Sequence, residues 1–206
     1  KKYEKNPIVT YDGPDFRDPV VIRYKNQWNM LVATGDCQRI YSSKNLIDWK
    51  YESEFGHGMG SHKGVWECPT LFEVDGKWVM IVSTNTRDFI ESSMQYFIGE
   101  FDGHEFRSDF DPKDVKWMDL GYNSFATQTF HNSPELTAIS WMRYSENDTK
   151  PPYKQFRGAL TIPRTFRVHG KDLYSIPLPS FEAKFTKKIE KITSACLVEI
   201  EFTNVT

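Results

Sequence analysis

The sequence predicts an all-β fold of the β-propeller type, and three observations support this prediction. Short apolar runs rich in Val, Ile, Thr and aromatic residues follow one another, with polar turns between them. Patterns with the 3.6-residue period of a helix are nearly absent. One hairpin-like segment recurs 50 residues later, close to the spacing of propeller blades.

The repeat is clearest between residues 19–34 and 69–84, which align without a gap. Both segments begin with Pro, carry Trp at the tenth position and end with Thr. Each has the pattern of a strand, a polar turn and a second strand, with Lys25-Asn26 or Asp75-Gly76 in the turn. This pattern predicts a β-hairpin in each repeat.

Further strands complete each repeat. A third strand is predicted at Arg39–Ser43 in the first repeat and at Gln95–Gly99 in the second. A turn and an aromatic edge segment follow, at 45–49 and 101–106. Four strands in 40 to 50 residues is the period of a propeller blade. A two-sheet sandwich with similar hairpins is the alternative, but the Pro, Trp and Thr residues in register favour the propeller.

A third, more divergent unit follows, and after it the pattern changes. The predicted strands of this unit lie at 123–130, 137–142 and 159–162. Alternating strands are predicted at 181–185 and 196–202, and they lack the Pro, Trp and Thr residues of the repeat. We therefore predict a partial propeller domain over residues 1–179 and the start of a β-sandwich domain over residues 180–206.

The composition argues against several classes of partner. The 26 basic and 28 acidic residues are well mixed, so we predict no nucleic-acid partner. No apolar run reaches the roughly 18 to 20 residues of a membrane-spanning helix, so we predict no membrane partner. The three cysteines and five histidines lack the spacing of metal motifs, so we predict no metal and no cofactor. Two Asn-x-Thr sequons, at Asn147 and Asn204, weakly favour an extracellular location.

Two acidic residues stand at the start of the repeated strands. Asp18 directly precedes Pro19, and Glu67 lies two residues before Pro69. The first strand of each blade lines the central channel of a propeller, so we expect both carboxylates to open into one funnel. A protonated and an ionised carboxyl group, facing one pocket, are what glycoside hydrolysis requires.

Neighbouring residues could bind a sugar. Arg17 can donate hydrogen bonds to hydroxyl groups, and Trp66 offers an apolar face on which a sugar ring can stack. Alternatively, Arg17 and Asp18 could form an ion pair that stabilises a turn, and Trp66 could be a core residue. The matching register of Asp18 and Glu67 in the two repeats favours a binding site.

The order of the motifs resembles that of glycoside hydrolase family 32, which includes invertases, levanases and inulinases. Residues 16–19 (Phe-Arg-Asp-Pro) are similar to the family's RDP motif, and residues 66–69 (Trp-Glu-Cys-Pro) to its WECP motif. Further matches lie at 95–103, 119–126 and 156–164. The resemblance implies a five-bladed propeller followed by a β-sandwich. It also implies cleavage of terminal β-fructofuranosyl units, with retention of configuration.

The resemblance also implies roles for individual residues. Glu67 is expected to be the general acid/base, and Asp18, with Arg17 beside it, to stabilise the transition state and hold fructosyl hydroxyls. Cys68 is expected to lie next to the acid and tune the proton affinity of Glu67. Gln95 is expected to reach the sugar bound beyond the fructosyl unit. The implied partner is a fructose-containing oligosaccharide or polysaccharide.

The sequence departs from the family pattern in two places. The family's nucleophile is an Asp in an Asn-Asp-Pro-Asn-like motif well before RDP, and Asp12-Gly13-Pro14 is too close to Arg17 to match it. We therefore expect the first blade and its nucleophile to be absent from this chain, which would pair with that N-terminal segment. Asn123 stands where family members often have Asp. Two other functions stay open: a non-catalytic carbohydrate-binding or interaction propeller, and a five-bladed glycosidase acting on arabinose-type furanosides.

Overall fold

The computed structural model describes residues 2–11, 13–86, 92–121, 123–143 and 158–185. Within these ranges the regular structure consists of strands in three antiparallel sheets and one short helix. No helix in the described part of the chain is long and apolar enough to cross a membrane.

The first two sheets have the same topology, as the repeat predicts. The first sheet contains β1 (Phe16–Tyr24), β2 (Gln27–Thr34), β3 (Gln38–Ser43) and β4 (Lys50–Phe55), in this order. The second contains β5 (Val65–Val74), β6 (Lys77–Asn85), β7 (Ser93–Phe101) and β8 (Phe106–Ser108). Tight hairpin turns require positive φ, and Lys25, Asp75 and Gly76 have φ values of 48°, 51° and 74°.

The edge strands begin later than the sequence predicted. Residues 45–49 form a turn rather than an edge segment, because the Asn45 side-chain oxygen accepts hydrogen bonds from the amides of Ile47 and Asp48. The edge strand of the first sheet is β4, which follows this turn. In the second sheet the edge strand β8 likewise starts at the last residue of the predicted segment, Phe106.

The third sheet confirms the divergent unit. It contains β9 (Ser124–Thr129), β10 (Ala138–Met142), β11 (Ala159–Leu160), β12 (Arg164–His169) and β13 (Asp172–Pro177). β9 pairs with one edge of β10, and both β11 and β12 pair with the other. The Thr161 amide and hydroxyl bridge this gap by bonding to Ser140. β11 and β12 therefore act as one interrupted strand, so this sheet has four strand positions, like the other two sheets.

The segment after the third sheet differs from the prediction. Residues 181–185 are not a strand, because the chain forms the short helix α1 (Pro179–Glu182). Proline suits the first turn of a helix, and the amides of Glu182 and Ala183 donate to the carbonyls of Leu178 and Pro179. The predicted strand at 196–202 and both sequons lie outside the described residues, so the β-sandwich over 180–206 stays a prediction.

The three sheets share one apolar core. Their inner strands lie side by side, with β1 against β5 and β5 against β9. One continuous cluster of buried side chains connects all three sheets; it includes Ile22, Leu31, Trp66, Val79, Phe97, Phe125 and Phe166. Burial of each such side chain contributes about 1.5 to 3 kcal/mol, so this cluster holds the inner strands together.

A β-bulge recurs at the same point of each inner strand. Asp18, Cys68 and Ala126 have φ values of 57°, 46° and 55°, and the strand register shifts around each of them. A bulge bends a strand and changes the direction of nearby side chains. The residues directly before the bulges, Arg17 and Glu67 among them, therefore turn toward the shared end of the inner strands.

Candidate active site

The bulges bring the predicted site residues together, but not in the register that the sequence suggested. In the structure Asp18 is equivalent to Cys68, and Arg17 is equivalent to Glu67. Asp18 and Glu67 are thus offset by one position, as the gapless repeat requires. They still come close, because β1 and β5 are adjacent and hydrogen bonds connect their bulges.

Arg17 links two carboxylates across the first two sheets. One guanidinium nitrogen donates to Glu67 Oε1 at 2.9 Å, and the other donates to Asp15. The Asp15 hydrogen bond, followed by that of Glu67, raises the pKa of Arg17 against the opposing effect of burial. The Glu67 side chain is 15% exposed, so it is the most shielded of the three. The sequence analysis did not identify Asp15. The only feature that could have indicated it is its position, two residues before Arg17.

Asn85 is a second partner of Glu67 that the sequence analysis did not identify. Its side-chain nitrogen lies 3.3 Å from each oxygen of the Glu67 carboxylate. Asn85 ends β6 opposite Val65, two residues before Glu67 on β5, which brings the amide over the carboxylate. No motif marks this residue in the sequence, because the contact depends on strand pairing. Together Arg17 and Asn85 fix the orientation of the carboxylate.

Asp18 is held by Cys68. The Cys68 backbone N–H donates to Asp18 Oδ2 at 3.0 Å, and the thiol sulfur lies 3.4 Å from the same oxygen. Burial, with the negative charges of Asp18 and Glu67, raises the pKa of the Cys68 thiol to about 12, so the thiol is a neutral donor near pH 7. Both hydrogen bonds of Cys68 go to Asp18 and not to Glu67, so an effect of Cys68 on the proton affinity of Glu67 stays a prediction.

Trp66 and Gln95 do not contact a substrate in the way predicted. Both side chains are 0% exposed, so Trp66 cannot stack on a sugar and Gln95 cannot reach one. The Trp66 indole and the Gln95 amide both donate to the Ser61 carbonyl, and Gln95 accepts from the Ser61 amide. These bonds satisfy the two buried polar groups and anchor the loop that leads into β5. Their role here is to position that loop.

A buried cation faces the site from the third sheet. Arg143 is 3% exposed, its guanidinium lies 4.2 Å from the centre of the Phe125 ring, and it donates to the Ser92 carbonyl. Phe125 occupies the position before the bulge that Glu67 occupies in the second sheet. Burial lowers the pKa of Arg143, and the negative charge of Glu67 opposes this shift. Nothing in the sequence pattern singled out Arg143.

The second departure from the family pattern, Asn123, lies beside this cation. The Arg143 backbone N–H donates to the Asn123 carbonyl. The Asn123 side-chain oxygen is buried without a hydrogen-bond partner among the described residues. An Asp at this position would bury a negative charge next to Arg143, whereas Asn keeps the position neutral.

A pocket opens beside Glu67, between the first two sheets. Its volume is about 520 Å³, within the range typical of small-ligand sites. It is lined by Tyr11, Pro14, Asp15, Thr34, Gly35, Asp36, Lys63, Gly64, Val65, Asn85 and Thr86. Asp15 and Asn85 belong both to this lining and to the hydrogen-bond network of Glu67. One lining residue, Asp36, also belongs to a group with Cys37 and His57 that could hold a metal ion.

The arrangement has the groups for general acid/base chemistry at an oxygen of a bound sugar. Glu67 is partly shielded, oriented by two donors and next to a pocket, which suits proton transfer. Asp18 lies in the bulge of the neighbouring strand β1 and is oriented by the backbone amide of Cys68, the residue after Glu67. Its remaining oxygen atom is not engaged by these bonds and can accept from a sugar hydroxyl.

Comparisons with known proteins identify the family of this chain. Residues 1–177 match the model of the glycosyl hydrolases family 32 N-terminal domain. The chain is 42% identical over 182 residues to a levanase of Bacillus subtilis, covering 81% of this chain and 27% of the levanase. It is 34% identical over 187 residues to an extracellular exo-inulinase of Meyerozyma guilliermondii, covering 84% of this chain and 36% of that enzyme.

Solved structures give the same result. A β-fructofuranosidase of Schwanniomyces occidentalis, complexed with fructosyl-erythritol, superposes with a TM-score of 0.75 at 29% identity. The superposition covers 87% of this chain and 38% of that protein. The chain thus spans well under two thirds of the length of these relatives. The predicted all-β fold of the propeller type is confirmed by these neighbours. On this evidence the chain belongs to glycoside hydrolase family 32 and matches its N-terminal domain.

Proposed function

We propose that this chain is the acid/base-bearing part of a glycosidase that releases terminal β-fructofuranosyl units from sucrose- or fructan-type substrates. The observation that carries the proposal is the fixed Glu67 carboxylate, which receives hydrogen bonds from Arg17 and Asn85 beside the pocket. The names of the relatives, levanase and exo-inulinase, support fructose-containing substrates.

In this proposal Glu67 donates its proton to the oxygen of the leaving group and later removes a proton from the attacking water. Arg17 and Asn85 keep the carboxyl group in the orientation that both steps need. Asp18, held by Cys68, accepts hydrogen bonds from hydroxyls of the fructosyl ring, and these bonds strengthen as positive charge develops in the transition state.

A retaining mechanism also needs a nucleophile about 5 to 5.5 Å from the acid/base. Asp15 is paired with Arg17, and Asp18 is assigned above to the fructosyl hydroxyls, so neither is assigned this role. We propose that the nucleophile belongs to a segment outside this chain, as the family resemblance implies. The relatives' greater length is consistent with such a segment.

The proposal can be tested in the completed enzyme, defined as this chain fused behind the nucleophile-bearing segment of the levanase relative. Fructose release from levan, inulin and sucrose is measured. Glu67→Gln should lower kcat about 100- to 10,000-fold with little change in KM, because the proton donor is lost. Azide should partly restore substrate consumption and give fructosyl azide instead of fructose, because it attacks the fructosyl intermediate without a general base; the azide product is measured separately by mass spectrometry. Glu73→Gln, on the exposed side of β5, is the matched control and should leave kcat unchanged.

Two results would overturn the assignment. Near-normal turnover of Glu67→Gln would remove Glu67 from the acid/base role. Fructose release by the 206-residue chain alone, abolished by Asp18→Asn, would show that the nucleophile lies within this chain. A completed enzyme that binds fructosides through Arg17 and Asp18, but releases no fructose, would favour the non-catalytic carbohydrate-binding alternative.

A further inference from the structure

Three side chains with metal-ligand atoms lie together beside the pocket. Asp36 and Cys37 belong to the turn between β2 and β3, and His57 follows β4. Their oxygen, sulfur and nitrogen ligand atoms all lie within 4.8 Å of one another. Asp36 and His57 are exposed, whereas Cys37 is buried beneath them. The cluster is therefore open to solvent on one side and closed on the other.

The backbone brings the two segments together at Gly56. A side chain at this residue, whose φ is 133°, would lie 3.0 Å from the Cys37 Cα and 2.6 Å from the Trp66 ring. Only glycine allows this close approach in this conformation. The next residue is His57, so the contact places its ring directly against the turn that carries Asp36 and Cys37. The juxtaposition is thus built into the fold.

The His57 ring lies between two carboxylates. Its Nε2 is 3.0 Å from Glu54 Oε2, and its Nδ1 is 3.5 Å from Asp36 Oδ2. A neutral imidazole donates from one nitrogen and carries a lone pair on the other. When Nε2–H donates to Glu54, the Nδ1 lone pair faces the Asp36 carboxylate, and two electron-rich atoms oppose each other. A metal ion between them removes this conflict, as a second proton on the ring would.

The distance between the nitrogen and oxygen ligand atoms suits a small tetrahedral ion. Metal–ligand bonds of about 2.0 to 2.2 Å at tetrahedral angles place the N and O ligand atoms about 3.3 to 3.5 Å apart, which matches the 3.5 Å between Nδ1 and Asp36. Glu54 would be the outer carboxylate that metal-binding histidines commonly have. The Thr34 hydroxyl, 3.0 Å from the Cys37 sulfur, can donate to the thiolate form. Two of the three ligands therefore have supporting partners in place.

We infer that Asp36, Cys37 and His57 form a binding site for Zn²⁺, with a fourth coordination position open to water. Sulfur, imidazole nitrogen and carboxylate oxygen are a ligand set that zinc favours over harder cations such as Mg²⁺ and Ca²⁺. Zn²⁺ replaces the proton of the Cys37 thiol, and this proton passes to solvent. The ion joins the β2–β3 turn to the loop after β4. Both segments border the pocket, so metal binding stabilises one of its walls.

The test uses the untagged 206-residue chain, titrated with Zn²⁺ by calorimetry and with Co²⁺ by absorption spectroscopy. We expect one Zn²⁺ per chain, a higher Tm with the metal, and a thiolate-to-cobalt charge-transfer band. His57→Gln and Asp36→Asn should each weaken Zn²⁺ binding more than about tenfold, and Cys37→Ser should abolish the charge-transfer band. Glu54→Gln should weaken binding by about tenfold, because the outer partner of His57 is altered.

Controls separate loss of a ligand from loss of the fold. His131→Gln changes an exposed histidine outside the cluster and should leave Zn²⁺ affinity unchanged. Each variant is compared in the absence of metal by circular dichroism and Tm, and His57→Gln and Asp36→Asn alter exposed side chains that tolerate substitution. Absence of saturable one-to-one binding would overturn the inference. So would unchanged affinity in His57→Gln, or a cobalt complex without the thiolate band. None of these measurements depends on fructosidase activity.

Discussion

At the level of single residues, the site depends on how Glu67 is held. Arg17 supplies a charged donor from the neighbouring sheet, and Asn85 supplies a neutral donor from the neighbouring strand. The two donors approach the same carboxylate from different elements. Each can therefore be removed without unfolding the element that carries Glu67 itself.

Asn85 provides the first prediction. In the completed enzyme, Asn85→Ala should lower kcat about tenfold, since a hydrogen bond to a charged group contributes about 1.5 to 3 kcal/mol and these contacts are long. KM should change little if Asn85 orients Glu67 rather than the substrate. Steady-state kinetics on inulin give both values, and Asn26→Ala in the exposed β1–β2 turn is the control. A rise in KM with unchanged kcat would instead make Asn85 a substrate-binding residue.

The raised pKa of Cys68 gives a second prediction. Only the thiolate reacts with iodoacetamide. For a thiol with a pKa of about 12, the thiolate fraction rises about tenfold for each unit by which the pH increases, as long as the pH stays below the pKa. In the folded chain, the alkylation rate of Cys68 should therefore keep rising from pH 8 to pH 10. Peptide mass spectrometry follows the reaction. The urea-unfolded chain is the control, and its rate should level off near pH 9; a similar plateau in the folded chain would contradict the burial argument.

At the level of elements, the recurring bulge is the feature that builds the site. The same positive φ occurs at Asp18, Cys68 and Ala126, although the three residues share no chemistry. The bulge amides are used as donors between sheets: Cys68 donates to Asp18, and Ala126 donates to Ser83. The bulge conformation is thus a property of the inner strands. In the first two sheets it places Asp18 and Cys68 within hydrogen-bonding distance of each other.

Ala126 tests the cost of this conformation. Ala126→Val should lower the free energy of unfolding by about 1 to 3 kcal/mol, because a β-branched residue is strained at a φ of 55°. Ala126→Gly should cost less than the valine variant, because glycine adopts positive φ without strain. Urea unfolding measures each value, and Ala159→Val on the exposed strand β11 should change it by less than about 0.5 kcal/mol. A stable Ala126→Val variant would show that the bulge relaxes.

At the level of the whole molecule, the third sheet exposes apolar side chains. Leu160 is 63% exposed and Tyr174 52%, and Met142, Trp141 and Ile176 are also exposed. Exposed apolar surface of this kind favours association. Tyr174 and Ile176 are two positions apart on β13, so their side chains lie on the same face of the sheet.

We expect the isolated chain to self-associate through this surface. Sedimentation velocity over a concentration series should show the average mass rising with concentration. The double variant Tyr174→Ser/Ile176→Ser should shift this rise to higher concentration, because it removes apolar area from β13. Val115→Ser, at an exposed apolar residue outside the third sheet, is the control. A chain that stays monomeric at all concentrations would contradict the prediction.

The sequence by itself determined the class of fold and singled out residues that the structure brings together, Arg17, Asp18 and Glu67. The repeated hairpins could be predicted because their signals are local. The positions of Pro, Trp and Thr and the polar turns between strands can be read directly from the sequence. Arg17, Asp18 and Glu67 could be identified because they lie next to these markers. The strand proposed at 181–185 failed because a proline at the start of a helical turn outweighed the alternating pattern.

Only the tertiary structure decided which side chains meet. Trp66 and Gln95 were predicted to face a sugar, yet both are buried, because the loop before β5 folds over them. Asn85 and Arg143 reach the site through strand pairing and sheet packing, which leave no local pattern in the sequence. His57 likewise lies near Cys37 without any local pattern in the sequence, because the backbone at Gly56 packs closely against Cys37. Side-chain proximity across sheets depends on packing between distant segments, whereas the repeat depends on residues close in sequence.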